Sequence, residues 1–313
     1  MTTLVTGSIA YDTIMVFPDR FKNHLLADQL HILNVCFLTP EMRREFGGTA
    51  GNIAYNLKLL GEESVVMATV GEDIQPYLAR LRELRIGTDR LKTIPGKFTA
   101  QAFITTDLDD NQITAFHPGA MNHSHENRVT REIGATLAIV GPDGKLGMQQ
   151  HARECAALGV PFVFDPGQGL PMFSREELLE FVRLADYIAV NDYEGKLLEE
   201  KTGRWLDELA REVKALVVTL GALGSVIHAG AKRFEIPSVK PEAIADPTGC
   251  GDAYRAGLLY GIARGWDWAA TGRLASLLGA FKIAHRGPQN HRASREELDA
   301  RFRTAFGFSP WQG

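Results

Sequence analysis

The chain has 313 residues, 45% hydrophobic and 23% charged, which suits one large globular domain or a domain with an appendage. A formal net charge of −4 argues against a broad basic face for nucleic acid. No run approaches the roughly 18 uninterrupted apolar residues of a membrane span, and MTTLVTGSIAYD lacks the basic and apolar regions of a secretion signal. Cys36, Cys155 and Cys250 lie far apart and form no CxxC, so neither a disulfide framework nor a zinc site is expected. A reduced cytoplasmic enzyme or binding protein fits these bounds.

Along the chain, short apolar runs ending in Gly, Asp or Asn alternate with helical patterns. The runs are TLVTGSIA near the start, SVVMATVG (64–71), TLAIVG (136–141), VPFVFDPG (160–167), YIAVND (187–192) and ALVVTLG (215–221). The helical segments are GNIAYNLKLLG (51–61), QPYLARLRELRIG (75–87), MQQHARECAALG (148–159) and REELLEFVRLA (175–185). This alternation predicts an α/β fold with a parallel sheet flanked by helices. Ligands of such folds bind beyond the carboxyl ends of the strands, here marked by Gly7, Gly71, Asp165, Asn191 and Gly221. Two stretches, 13–46 and 97–120, break the pattern with TIMVFP, HILNVCFLT, FTAQAFITTD and NQITAFHPG, and DLDDNQ (107–112) is a hairpin-turn signal. They predict a small inserted β-sheet able to cover a ligand. The core is then 1–12, 47–96 and 121–313.

Two motifs are decoys. GPDGKLG (141–147) lacks the spacer and the Ser/Thr of a phosphate loop, and NHSHEN (122–127) lacks the HExxH spacing of a metal site. Three others carry chemistry. In ADPTGCGDAYRAG (245–257), small residues precede a helical run, so backbone N–H groups and the helix N-terminus can hold an anion. Asp252 in that first turn is either a helix cap or a base placed to take a proton from an attacking hydroxyl. In EFGGTAGNIAYNLKLLG (45–61), Gly47 and Gly48 allow close backbone approach, and Asn52 at the helix start can bond a ligand hydroxyl or serve as a cap. In GSIAYD (7–12), Asp12 offers two acceptor oxygens to a polyol.

Together GSIAYD, GGTAGN, NDYE (191–194), TLGALG (219–224) and DPTGCGDAYRAG (246–257) resemble, in order and spacing, the ribokinase-like, phosphofructokinase-B type kinases over essentially the whole chain. Within that family the chain looks most like bacterial adenosine kinases, through FTA with TTD, NQITAFHPGAM (111–121) and DPGQ (165–168). The resemblance implies a doubly wound, mainly parallel α/β core with a β-sheet lid. It implies ATP-dependent phosphorylation of the 5′-hydroxyl of adenosine, or, as the alternative, of a sugar such as ribose or fructose. By motif match Asp252 is the base, and the amides of Gly249, Cys250, Gly251 and Asp252 form the anion hole. Ser8, Asp12, Gly47, Gly48, Asn52, Phe116 and Gln168 fall at the acceptor. Asn191, Thr219, Gly221 and Gly224 fall at ATP, with Glu194 near Mg²⁺ through water. Asp246 and Thr248 mark the place where some relatives bind a monovalent cation such as K⁺. A homodimer through the lid is a further implication. Two departures stand out: Cys250 replaces the usual small Ala, Gly or Val, and Ala102 stands where a lid aromatic is expected, with Phe103 adjacent and Phe116 as the remaining stacking candidate.

Overall fold

A computed structural model describes residues 2–25, 34–109 and 111–311. Among these residues the strands are β1 (Thr3–Thr6), β2 (Ala10–Val16), β3 (Glu41–Gly47), β4 (Ser64–Val70), β5 (Gly87–Thr93), β6 (Ala100–Thr106), β7 (Gln112–His117), β8 (Leu137–Val140), β9 (Phe162–Phe164), β10 (Tyr187–Asn191), β11 (Ala215–Thr219), β12 (Ser225–Ala229) and β13 (Lys232–Ile236). The α-helices are α1 (Thr49–Leu59), α2 (Gln75–Glu83), α3 (Lys145–Leu158), α4 (Arg175–Leu184), α5 (Asp192–Thr202), α6 (Leu206–Leu209), α7 (Cys250–Ala263), α8 (Trp268–Ile283) and α9 (Arg295–Phe306).

The large sheet has the order β13-β12-β11-β10-β9-β8-β1-β4-β5. Every pairing from β11 across to β5 is parallel, and β12 and β13 close one edge antiparallel. Its apolar strands bury both faces, as a sheet covered by crossover helices must. The pleat sends successive side chains to opposite layers. Val5, Ile139 and Val217 join one buried cluster with α1, α7 and α8, whereas Leu4, Val140 and Leu216 join the other with α3 and α4. No helix among the described residues is long and apolar enough to cross a membrane.

A separate four-stranded sheet has the order β3-β2-β6-β7. It forms from the two stretches that break the α/β alternation, and β6 and β7 make a hairpin across the predicted turn. Asp107 anchors that turn by accepting the backbone N–H groups of Asp109 and Asn111, each at 2.9 Å. The expected strand over HILNVCFLT is not found. Residues 31–33 lie outside the described residues, and 34–39 are irregular. The strand is instead EMRREFG, whose charges suit a strand at the edge of the lid sheet. β2 begins at Ala10, so Asp12 sits on the lid sheet.

Helix α7 packs on α8 with almost no gap. A Cβ on Gly257 would lie 2.5 Å from the Cα of Ala275, and one on Gly261 would lie 2.3 Å from Oγ1 of Thr271. Gly257→Ala must therefore push two backbones apart. A stability loss of about 1–3 kcal/mol is expected, the usual cost of overpacking, seen as a lower denaturant midpoint in equilibrium unfolding. An unchanged midpoint would show that the two helices separate freely.

Candidate active site

The carboxyl ends of β1, β8, β9, β10 and β11 open on one cleft, and the lid rises from the same edge. Each functional side chain is set by the element that carries it.

Gly249 caps α7 in the left-handed region (φ 82), and a Cβ there would lie 2.8 Å from Pro288 Cβ. Glycine is thus required both by conformation and by space. The turn delivers the start of α7 to the cleft. The Cys250 amide donates to the Pro247 carbonyl at 3.1 Å, so it is engaged in the turn. Gly251 and Asp252 stand in the first helical turn, where amides have no intrahelical acceptor, and they are the amides left to meet an anion. Burial pushes the Cys250 thiol up to about 11, which leaves it uncharged and inert at neutral pH.

Asp252 is partly buried. Its Oδ2 accepts the amide of Asn52 at 2.7 Å, and Oδ1 of Asn52 accepts from Gln289 Nε2 at 2.9 Å. Gln289 Nε2 also meets the hydroxyl of Tyr77 at 2.6 Å, and that hydroxyl donates to the Gly47 carbonyl at 2.8 Å. The chain of bonds joins α1, α2, α7 and the end of β3. Asp252 is not an N-cap: Gly249 holds that position, and no side chain caps the helix there. Burial pushes the Asp252 carboxyl up to about 7, with the charges of Asp165 and Asp12 adding to the rise and Asn52 and Arg255 opposing it. A carboxyl near neutrality is matched to proton transfer at physiological pH.

Asp12 lies on the cleft side, also held high, at about 6, by burial and by the charges of Asp246 and Glu45. A Cβ at Gly47 would lie 2.5 Å from its Oδ2. Gly48 adopts φ 84 with its Cβ position only 2.6 Å from the backbone at Ala10 and Ser8. The glycine pair therefore exists to let α1 start against β2. Ser8 Oγ accepts the Thr49 amide at 3.1 Å, so part of its hydrogen-bonding capacity already serves the α1 start.

Asn191 and Thr219 are register partners on adjacent parallel strands. The Asn191 side chain accepts the Glu194 amide at 2.7 Å, and Glu194 returns the bond to the Asn191 amide at 2.8 Å, a capping box that starts α5. Glu194 also faces Nη2 of Arg255 at 3.9 Å, and burial followed by the charge of Asp165 holds its carboxyl above the usual range. Gly221 and Gly224 frame the turn after β11, both with positive φ, and a Cβ at Gly224 would overlap the Ile236 carbonyl at 2.0 Å. Gln168 is exposed in the turn after β9. The Asp246 carboxylate accepts the amides of Thr248 and Gly287, each at 2.9 Å.

His123 pairs with Glu126 at 3.0 Å, Lys145 with Glu177 at 2.8 Å, and no group of three metal-binding side chains occurs among the described residues. Sequence reasoning did not single out Gln289, Tyr77 or the buried pair of Arg255 with Asp165, whose Nε–Oδ2 distance is 3.1 Å. The DAYRAG and DPGQ motifs carried the last two, but only their juxtaposition shows the pairing.

A doubly wound sheet with its catalytic cleft under a β-sheet lid defines a ribokinase-like fold. Residues 10–295 match the pfkB family carbohydrate kinase profile, and the chain belongs to that family. A nucleoside kinase from Methanocaldococcus jannaschii is 34% identical over 261 residues, 82% of this chain and 85% of the relative. The structure of a Burkholderia thailandensis nucleoside kinase in complex with inosine is 54% identical, with a TM-score of 0.90 over 98% of this chain and all of that one. The same protein in complex with ADP and inosine has a TM-score of 0.87 and 56% identity over 98% of this chain and 97% of that chain.

Two tests follow. Asp252→Asn should lower kcat at least ~100-fold, the scale of general-base loss. Its ionisation penalty is absent below the ordinary carboxylate value of 3.8 and complete above about 7, so stability falls as pH rises through that window. The variant removes the penalty, and its melting temperature at pH 8 should be unchanged or higher. A kcat within threefold of wild type with a lower melting temperature would make Asp252 a structural residue. The second test is the pH profile of kcat/KM. Its acidic limb should fall near pH 7, and Asn52→Ala, which deletes a bond to the charged carboxylate, should move the limb upward. A wild-type limb near pH 4 would contradict the assignment.

Proposed function

We propose that the protein is an ATP-dependent nucleoside kinase that phosphorylates the 5′-hydroxyl of a purine nucleoside such as adenosine. The observation that carries this reading is one row across the lid sheet. Glu45 pairs with Asp12, Asp12 with Ala102, and Ala102 with Phe116. Directly paired residues share a face, so Phe116 projects to the same side as Asp12. Two strand spacings separate them, about 9–10 Å. Small, buried Ala102 lies between, and Phe116 is 52% exposed on the Asp12 side of the lid. That layout suits a ribose gripped at Asp12 and a flat base reaching Phe116. Phe103 falls on the opposite face with Thr13 and does not take part. The bound inosine of the Burkholderia thailandensis relative supports the same class of acceptor.

In the proposed reaction Asp252 takes the 5′-hydroxyl proton, the oxygen attacks the γ-phosphorus, and ADP leaves. The Gly251 and Asp252 amides and the start of α7 bear charge on the transferring phosphoryl group. Asp12 and Asn52 orient the ribose. ATP is proposed to lie along Asn191, Thr219, Gly221 and Gly224. Mg²⁺ would arrive on the triphosphate, with Glu194 as the nearby carboxylate acting through water. A single protein carboxylate suits a metal that keeps most of its waters and binds chiefly to phosphates. Free cysteines and ATP as donor favour the cytoplasm. The outer lid face exposes Met42, Phe103 and Ile113, which we assign to pairing with a second copy through the lid. Light scattering tests that pairing.

ADP release measured with adenosine, inosine, ribose and fructose tests the acceptor class. Nucleosides should exceed the free sugars by at least ~10-fold in kcat/KM, in line with about 1–3 kcal/mol for stacking a base on an aromatic side chain. Phe116→Ala should raise the nucleoside KM about tenfold or more and leave that of ATP nearly unchanged. Faster turnover of ribose or fructose, with no selective effect of the variant, would make the protein a sugar kinase with Asp252 in the same role.

A further inference from the structure

The resemblance allows a monovalent cation beside Asp246 and Thr248, and the residues there do not fit one. Lys282, at the end of α8, is completely buried, and its Nζ takes up the backbone carbonyls beside Asp246. It donates to the Asp246 carbonyl at 2.7 Å and to the His285 carbonyl at 3.0 Å. Both carboxylate oxygens of Asp246 are already taken by the Thr248 and Gly287 amides, each at 2.9 Å. A cation reaching the same carbonyls would stand directly against the ammonium and repel it.

We propose that the Lys282 ammonium replaces an alkali cation beneath the helix start that carries Asp252, so that phosphoryl transfer does not depend on K⁺. The inference rests on the kinase reading of that helix start. Lys282 is a positioning residue. It holds the Asp246 carbonyl, the carbonyl of the next residue, Pro247, accepts the Cys250 amide at 3.1 Å, and the turn so formed sets the direction of the Gly251 and Asp252 amides at the start of α7. It also keeps one positive charge close to where phosphoryl charge develops. Glu45 and Asp246 are the acidic groups that face it, and their charges oppose the fall that burial imposes on its ammonium pKa. A tethered ammonium needs no recruitment from solution, so the loop stays ordered whatever the salt.

Wild-type turnover is measured in choline, Na⁺, K⁺ and Rb⁺ chlorides at equal ionic strength, with melting temperatures in the same salts with and without ADP. Rates should agree within about twofold, and melting should not respond selectively to K⁺. Saturable, K⁺- or Rb⁺-specific activation of tenfold or more, or a K⁺-specific rise in melting temperature, would overturn the proposal. Lys282→Ala should lower kcat at least ~10-fold in choline with KM for ATP within threefold, and K⁺ should restore part of kcat and raise the variant's melting temperature. A folded variant with wild-type kcat in choline would also overturn it. If Lys282→Ala does not fold, the wild-type salt series alone decides. If no acceptor is turned over, the kinase reading falls, and the melting series with ADP still decides the cation question.

Discussion

The hydrogen bond from Asn52 to Asp252 holds this architecture to its chemistry. It joins the starts of two helices that are 200 positions apart in the chain, at 2.7 Å. Neither helix start could reach the other with an ordinary residue in the turns before it. Gly48 lets α1 begin against the backbone of Ser8 and Ala10, and Gly249 lets α7 begin against Pro288. The bond also sets the acid–base character of the site. Burial alone would drive the Asp252 carboxyl still higher, and the Asn52 amide moderates the rise. Packing, backbone conformation and proton affinity therefore meet in one contact.

Electrostatics at the cleft work by opposition. Asp12, Asp165, Glu194 and Asp252 gather at the strand ends, a costly accumulation of negative charge. Buried Arg255 answers part of it, through both Asp165 oxygens and the Ala189 carbonyl. Lys282 answers another part behind the α7 turn. Both cations are buried, as is Asp165 with its Arg255 partner, while Asp12, Glu194 and Asp252 keep partial exposure.

Much of this was legible in the chain. Buried parallel strands announce themselves as apolar runs ending in Gly, Asp or Asn, and the three glycine-rich motifs place Asp12, Asn52 and Asp252 because their surroundings permit little else. The lid's edge strand was not legible: EMRREF carries charge at three of its first four positions and becomes a strand only by pairing with β2. Gln289 and Lys282 escaped for a different reason. Each stands in an unremarkable local context, PQN after a turn and a lysine in the last turn of a helix, where a solvated cation is the ordinary reading. Their roles arise from partners 237 and 36 positions away. The Phe116 assignment needed strand register, which side-chain alternation alone does not supply.

The position of β1 has a consequence for biosynthesis. Although it is the first strand made, it lies inside the sheet between β4 and β8. It cannot be paired on both sides until residue 140 has been synthesised, and Asn52 then waits for Asp252 and Gln289. Contacts of such long range form late and slowly. A nascent or truncated chain that stops before Gln289 can therefore hold most of a sheet and a lid while the network of Asn52, Asp252 and Gln289 is still incomplete. Assembly of the cleft is in effect a check that the whole polypeptide has been delivered.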